Sequence, residues 1–190
     1  MSKLKAAVFA SGAGSNFQAI IEKRDLACEI ALLICDKQNA GVIEIAKKHQ
    51  IPTFIFSAKE FASKQAFEEK IVSELRKIEV SWIFLAGYMR IVGSTLLQAF
   101  PGKIVNIHPS FLPNFPGKDA IEQAYQAGVN TTGVTVHYID EGIDTGPIIA
   151  QESVAIYSED TEETLKKRIQ EVEHELYPNV INQLLQQSEG

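Results

Sequence analysis

The sequence predicts an α/β fold in three layers, with a mostly parallel central sheet, an antiparallel strand addition towards the C-terminus and helices on both faces. Continuous apolar runs such as Ala6-Ala7-Val8-Phe9-Ala10 and Trp82-Ile83-Phe84-Leu85-Ala86 read as strands buried on both faces. Stretches of helical spacing alternate with such runs up to residue 108, the order expected of right-handed β-α-β crossovers in a parallel sheet. Beyond residue 108 the pattern changes to period two, as in Thr132-Gly133-Val134-Thr135-Val136-His137-Tyr138, which fits a hairpin added to that sheet.

Taken in order, the Ala6 to Ala10 strand breaks into Ser11-Gly12-Ala13-Gly14-Ser15-Asn16, and a helix follows from Phe17 to Lys23. Ser15 and Asn16 are its candidate caps. Glu29 to Cys35 reads as a second strand, Gly41 to His49 as a helix and Thr53 to Phe56 as a third strand. Ser57 to Phe61 is a connection. Lys64 to Ile78 places Phe67, Ile71, Val72, Leu75 and Ile78 on one helical face. Trp82 to Ala86 is the fourth strand, Gly87 to Gly93 a loop and Thr95 to Phe100 a short helix. The fifth strand, through Ile104, Val105 and Ile107, ends at Pro109, which has no N–H for a ladder.

An irregular Pro-rich loop covers Phe111 to Gly117, and a helix runs from Asp119 to Ala127 and ends at Gly128. The strands Thr132 to Tyr138 and Ile148 to Val154 flank the Gly/Asp/Pro loop Ile139 to Pro147. A last helix begins near Asp160, with Glu162 and Glu163 favouring its dipole and Leu165, Ile169, Val172, Leu176, Val180 and Leu184 as its core stripe. Pro178 is expected to kink or interrupt it. The architecture is therefore Rossmann-like, with ligand sites at the C-terminal edge of the sheet.

The bulk numbers fit one globular domain over 1–190: 45% of the 190 residues are hydrophobic and 22% charged, enough for a sizeable core. A formal net charge of −6 argues against a broad nucleic-acid or membrane surface. Cys28 and Cys35 lack disulfide or metal-type spacing and read as reduced core residues of a cytoplasmic protein. No signal peptide and no apolar run near the ~20 residues of a membrane span is visible.

Two stretches carry chemistry. The Gly12 to Asn16 turn lets backbone approach a ligand, and N–H groups at the following helix start favour an anion such as phosphate; a plain tight turn is the alternative. It is not a dinucleotide fingerprint. The third glycine is missing, and Asp36 is not marked as a ribose partner. Asn106 and His108, two apart at a strand end, point the same way. An amide can donate to a developing oxyanion, an imidazole can move a proton, and a nearby carboxylate such as Asp144 favours the charged ring. A hydrogen-bonded structural histidine is the other reading of His108, and a turn residue that of Asp144. This is an acyl-transfer set without a nucleophile. Ser110 lacks the Gly-x-Ser-x-Gly elbow, and no ligand spacing supports a metal on His108, His137 and Asp144.

The four motifs Ser11-Gly12-Ala13-Gly14-Ser15-Asn16, Ala86-Gly87-Tyr88-Met89-Arg90, Asn106-Ile107-His108-Pro109-Ser110-Phe111-Leu112-Pro113 and Asp140-Glu141-Gly142-Ile143-Asp144-Thr145-Gly146-Pro147, in this order and spacing, resemble the folate-dependent formyltransferases, in the glycinamide ribonucleotide branch. The resemblance implies the formyltransferase fold. It implies a phosphate-binding half over 1–100 and a catalytic and folate-binding half over 101–190. The implied substrates are glycinamide ribonucleotide and 10-formyltetrahydrofolate, the formyl donor, with no metal and with a monomer or weak homodimer as the acting species.

By the same resemblance Gly12, Ala13, Gly14, Ser15 and Asn16, with Gln170 and Glu173 on the last helix, hold the ribonucleotide. Lys64, Met89, Arg90, Ile91 and Val92, together with Asn106 and the loop Asp140, Glu141, Gly142, Ile143 and Asp144, enclose the folate. Asn106, His108 and Asp144 are the implied catalytic residues. Two departures stand out: Ala13 fills a position that often carries a larger polar residue, and Lys64 one where arginine is common. The rivals are a 10-formyltetrahydrofolate hydrolase, a methionyl-tRNA formyltransferase, which would carry a further C-terminal domain and a more basic surface, and a non-catalytic phosphosugar or folate module.

Overall fold

A computed structural model describes residues 2–188. Seven strands, β1 (Leu4–Ala10), β2 (Cys28–Cys35), β3 (Thr53–Ile55), β4 (Trp82–Leu85), β5 (Ile104–His108), β6 (Thr131–Tyr138) and β7 (Ile148–Ala155), form one sheet in the order β3-β2-β1-β4-β5-β6-β7. The first five are parallel, and β5–β6 and β6–β7 pair antiparallel. Six helices surround it: α1 (Ser15–Ile21), α2 (Gly41–Lys48), α3 (Lys64–Lys77), α4 (Ser94–Ala99), α5 (Ala120–Ala127) and α6 (Glu162–Ser188). A 3-10 turn lies at Ala58–Glu60. The chain order, the parallel half and the antiparallel addition are those expected from the sequence.

Period two in β1 explains the three layers. Ala6, Val8 and Ala10 pack on one face with Phe17 and Ile20 of α1, Val42 of α2, and Leu165, Ile169, Tyr177 and Val180 of α6. Ala7 and Phe9 face the other way, against Phe67, Ile71 and Leu75 of α3 and Leu96 of α4. In β2 the parity slips: Ala6 pairs Ile30 but Ala7 pairs Leu32, so Ala31 is an extra residue and Ile30 and Leu33 fall on the same side. Cys28 and Cys35 are buried free thiols, and burial pushes Cys28 up to about 12.

Two local expectations are corrected. Of the kink or interruption expected at Pro178, the interruption does not occur: helix α6 runs from Glu162 to Ser188. Pro178 is buried and its helix neighbours Tyr177, Val180 and Ile181 belong to the core, so tertiary packing holds the helix across the missing N–H. Neither Ser15 nor Asn16 caps α1: the cap is Gly14, in the left-handed region at φ 89°, and no side chain caps the helix. A Cβ at Gly14 would lie 2.7 Å from Val42 Cγ2 and 2.9 Å from its Cα, so the turn admits only glycine there.

Candidate active site

The C-terminal ends of β1, β4 and β5 open on one edge of the sheet, and the loop between β6 and β7 folds back over it. Antiparallel pairing of β5 with β6 sets Asn106 opposite His137 and His108 opposite Thr135. Directly opposed residues share a face, so the strand pair itself brings an amide and two imidazoles together. Asp144 enters from the β6–β7 loop with φ 54°. Its Oδ2 accepts a 2.7 Å bond from the Gly117 N–H and lies 3.4 Å from His108 Nδ1, while Oδ1 lies 3.7 Å from His137 Nε2. Asn106, His108 and Asp144 thus form one cluster, with His108 only 6% exposed.

Each ring is fixed on its far side. His108 Nε2 lies 2.9 Å from the Phe115 carbonyl oxygen, which can only accept, so that nitrogen carries a proton. His137 Nδ1 likewise donates to the Tyr138 carbonyl at 2.9 Å. Burial lowers the His137 pKa below its ordinary 6.5, so the ring is neutral and Nε2 is left as a lone pair. Asn106 Nδ2 donates to it at 3.4 Å. That bond sets which way the Asn106 amide points.

Ser110 is not available as a nucleophile: it is fully buried, and its hydroxyl donates to the Asn114 carbonyl at 2.6 Å. Among the described residues no group of three His, Cys, Asp or Glu side chains could hold a metal ion.

The remaining predicted residues fall in two neighbouring places. Gly12 and Ala13 are exposed in the β1–α1 turn, Gly14 caps α1, and Ser15 and Asn16 are its first residues. Asn16 Nδ2 donates to Glu173 Oε2 at 2.7 Å, and Asn16 Oδ1 is buried without a partner. Glu173 is itself buried, and desolvation raises its pKa above the usual carboxylate value. Half-buried Gln170 lies three residues earlier on α6. One turn beyond Glu173, the Tyr177 hydroxyl lies 2.8 Å from the Leu85 carbonyl oxygen and 3.2 Å from that of Val105. That contact carries Glu173 to the functional edge of the sheet.

On the other side, Met89, Ile91 and Ile143 expose 59%, 55% and 55% of their surface, an apolar lining from two loops that the core does not use. Val92 is buried in the α3-side core, so it offers backbone rather than side chain. Arg90 turns inward: its Nε donates to Asp36 Oδ2 at 2.8 Å and its guanidinium lies 5.7 Å from the Phe67 ring centroid. Lys64 Nζ donates to the Ile91 carbonyl at 2.7 Å, gripping the loop backbone. Asp140 organises its own exposed loop by accepting from the Gly142 N–H and the Thr145 hydroxyl, and the Thr145 bond, then the Gly142 bond, hold its pKa down. Glu141 and Gly142 are exposed beside it.

Sequence reading missed His137, Ser11 and Asp36 as parts of this site. His137 reads from sequence only as a metal ligand beside His108 and Asp144, set aside on spacing, whereas its pairing with Asn106 follows from strand register. Asp36, whose side chain is 2% exposed, sits between Ser11 and Arg90.

An open α/β sheet with an amide, an imidazole and a carboxylate at its C-terminal edge, and no activated nucleophile, is the frame of an enzyme that transfers a group directly between two bound molecules. The family described as Formyl transferase matches residues 4–181, and the chain belongs to that family. It is 56% identical over 184 residues to the phosphoribosylglycinamide formyltransferase of Bacillus subtilis, covering 95% of this chain and 94% of that protein. It is 42% identical over 182 residues to the trifunctional purine biosynthetic protein adenosine-3 of Drosophila pseudoobscura pseudoobscura, of which it spans 13%. The crystal structure of glycinamide ribonucleotide transformylase 1 from Geobacillus kaustophilus superposes with a TM-score of 0.94 at 57% identity, over 96% of this chain and 99% of that one. The phosphoribosylglycinamide formyltransferase of Streptococcus pneumoniae does so with 0.91 at 45% identity, over 97% and 99%.

Proposed function

We propose that this protein transfers the formyl group of 10-formyltetrahydrofolate to the amine of N1-(5-phosphoribosyl)glycinamide, giving the formylglycinamide ribonucleotide and tetrahydrofolate in de novo purine biosynthesis. The observation that carries the reading is the convergence of Asn106, His108 and Asp144 at the C-terminal edge of the sheet, the edge from which the Gly12 to Asn16 turn and the loop with exposed Met89 and Ile91 also leave. Family membership and the matching relatives support the same activity. Two free, buried cysteines support a cytoplasmic setting.

In this reading the ribonucleotide phosphate takes the backbone N–H groups of the Gly12 to Asn16 turn, and Glu173 and Gln170 meet its sugar side. The folate ring lies between Met89 to Val92 and Asp140 to Asp144, with Lys64 holding the first loop. The substrate amine attacks the formyl carbon, a new C–N bond forms and the carbonyl oxygen becomes an oxyanion. Asn106 donates to that oxygen through its amide, and His108 supplies the proton charge next to it. Asp144 balances the His108 charge and relays the amine proton. Collapse of the tetrahedral carbon breaks the bond to the folate nitrogen, which takes up a proton and leaves. No bond to the protein forms. Two substrates held side by side replace a bimolecular encounter, a large part of the barrier.

The test is a formyl-transfer assay on purified protein without added metal, following tetrahydrofolate and formylated ribonucleotide together. The two products are expected in equal amounts and only when both substrates are present. Folate release at the same rate without the amine substrate identifies a hydrolase instead, and binding without turnover a non-catalytic module.

A further inference from the structure

A buried network joins the two loops assigned above to different substrates. Ser11 is the residue before Gly12, and its N–H donates to the Gly87 carbonyl at 3.1 Å. Its hydroxyl does two things at once: it donates to Asp36 Oδ1 at 2.5 Å and accepts from the Met89 N–H at 2.9 Å. The second oxygen of Asp36 takes the Arg90 Nε–H at 2.8 Å. Ser11 is 2% exposed, and so is the Asp36 side chain. The one proton of the hydroxyl and both oxygens of the carboxylate are thus engaged within the protein.

Consecutive residues of the folate-side loop, Met89 and Arg90, are therefore tied to one carboxylate at the end of β2 and to the first residue of the phosphate-side turn. Such charge-assisted bonds in a dry site are stronger than neutral ones and fix geometry. We infer that Ser11 and Asp36 are positioning residues shared by both substrate sites, holding Met89–Val92 and Gly12–Asn16 at one fixed separation. Loss of either loosens both sites at once. Lys64 is the natural contrast, because it grips the same folate-side loop at Ile91 from α3 and has no link to the phosphate-side turn.

This inference rests on the formyl-transfer reading, and the experiment separates the two. Wild type, Ser11→Ala, Asp36→Asn and Lys64→Met are compared in the two-product assay, with KM measured separately for ribonucleotide and formylfolate and with thermal unfolding recorded for each. Ser11→Ala and Asp36→Asn are expected to raise both KM values by about fivefold to tenfold, the scale of one or two lost hydrogen bonds, with kcat changed less than about threefold. Lys64→Met is expected to raise the folate KM alone. Should Ser11→Ala fail to fold, Arg90→Gln cuts the same network at its half-exposed end and carries the same expectation. An active wild type with both KM values unchanged in Ser11→Ala and Asp36→Asn, or with only the folate KM raised, overturns the shared role alone. An inactive wild type overturns the functional reading and this inference with it.

Discussion

Asn106 and His137 face each other across the β5–β6 ladder, with the amide nitrogen of one 3.4 Å from the bare ring nitrogen of the other. The Tyr138 carbonyl takes the proton on Nδ1, and burial keeps the ring neutral, so Nε2 can only accept. An amide whose orientation is set before substrate arrives loses no free energy to reorganisation when charge develops on the formyl oxygen.

His137→Ala is expected to lower kcat by about tenfold while leaving both KM values within about twofold, because it frees the Asn106 amide rather than removing it. Steady-state kinetics checks this. The pH dependence has a defined sign. The folded pKa of His137 lies below its unfolded 6.5, so its contribution to stability is present above 6.5 and is lost as pH falls through the folded value. The unfolding midpoint of wild type should therefore fall relative to His137→Gln on acidification below pH 6.5.

Glu173 shows the opposite sign. Desolvation raises its folded pKa above the unfolded 4.5, so folding is favoured below 4.5 and loses that contribution as pH rises through the folded value. Glu173→Gln keeps an oxygen for Asn16 Nδ2 and removes the buried charge. Its unfolding midpoint at pH 7 should exceed wild type, the gap closing below pH 4.5, while the ribonucleotide KM rises by roughly tenfold. Thermal unfolding across pH and a ribonucleotide titration measure the two effects.

Ser110→Ala removes a hydroxyl engaged with the Asn114 carbonyl in the turn after β5. Turnover should fall less than about tenfold, where loss of a true nucleophile costs on the order of 10⁴-fold or more. Mass spectrometry of the enzyme quenched during turnover should find no formyl adduct.

Most of the fold was legible because its signals are local. Buried apolar runs, helical spacing in α3 and α6, and the change to period two after β5 each follow from a short stretch of chain. The Asn106/His108 pair was legible for the same reason, being two positions on one strand. What escaped depends on contacts between distant elements. His137 gains its role only from the antiparallel register, and Asp36 only because Ser11 and Arg90 close on it from the β1–α1 turn and the β4–α4 loop. Arg90 is set against the folate by the family resemblance, yet its Nε is held by a buried carboxylate. Pro178 by its local rule breaks a helix, and packing carries α6 through it without a break.

In the proposed transfer His108 acts on the developing charge at the formyl group, and His108→Ala removes its imidazole alone. Kinetics and thermal unfolding of this variant should show kcat lower by ~10²-fold or more, ribonucleotide affinity within about twofold of wild type, and an intact cooperative unfolding transition. Turnover near the wild-type rate, or a loss of turnover that simply follows a loss of folded protein, would contradict that role of His108.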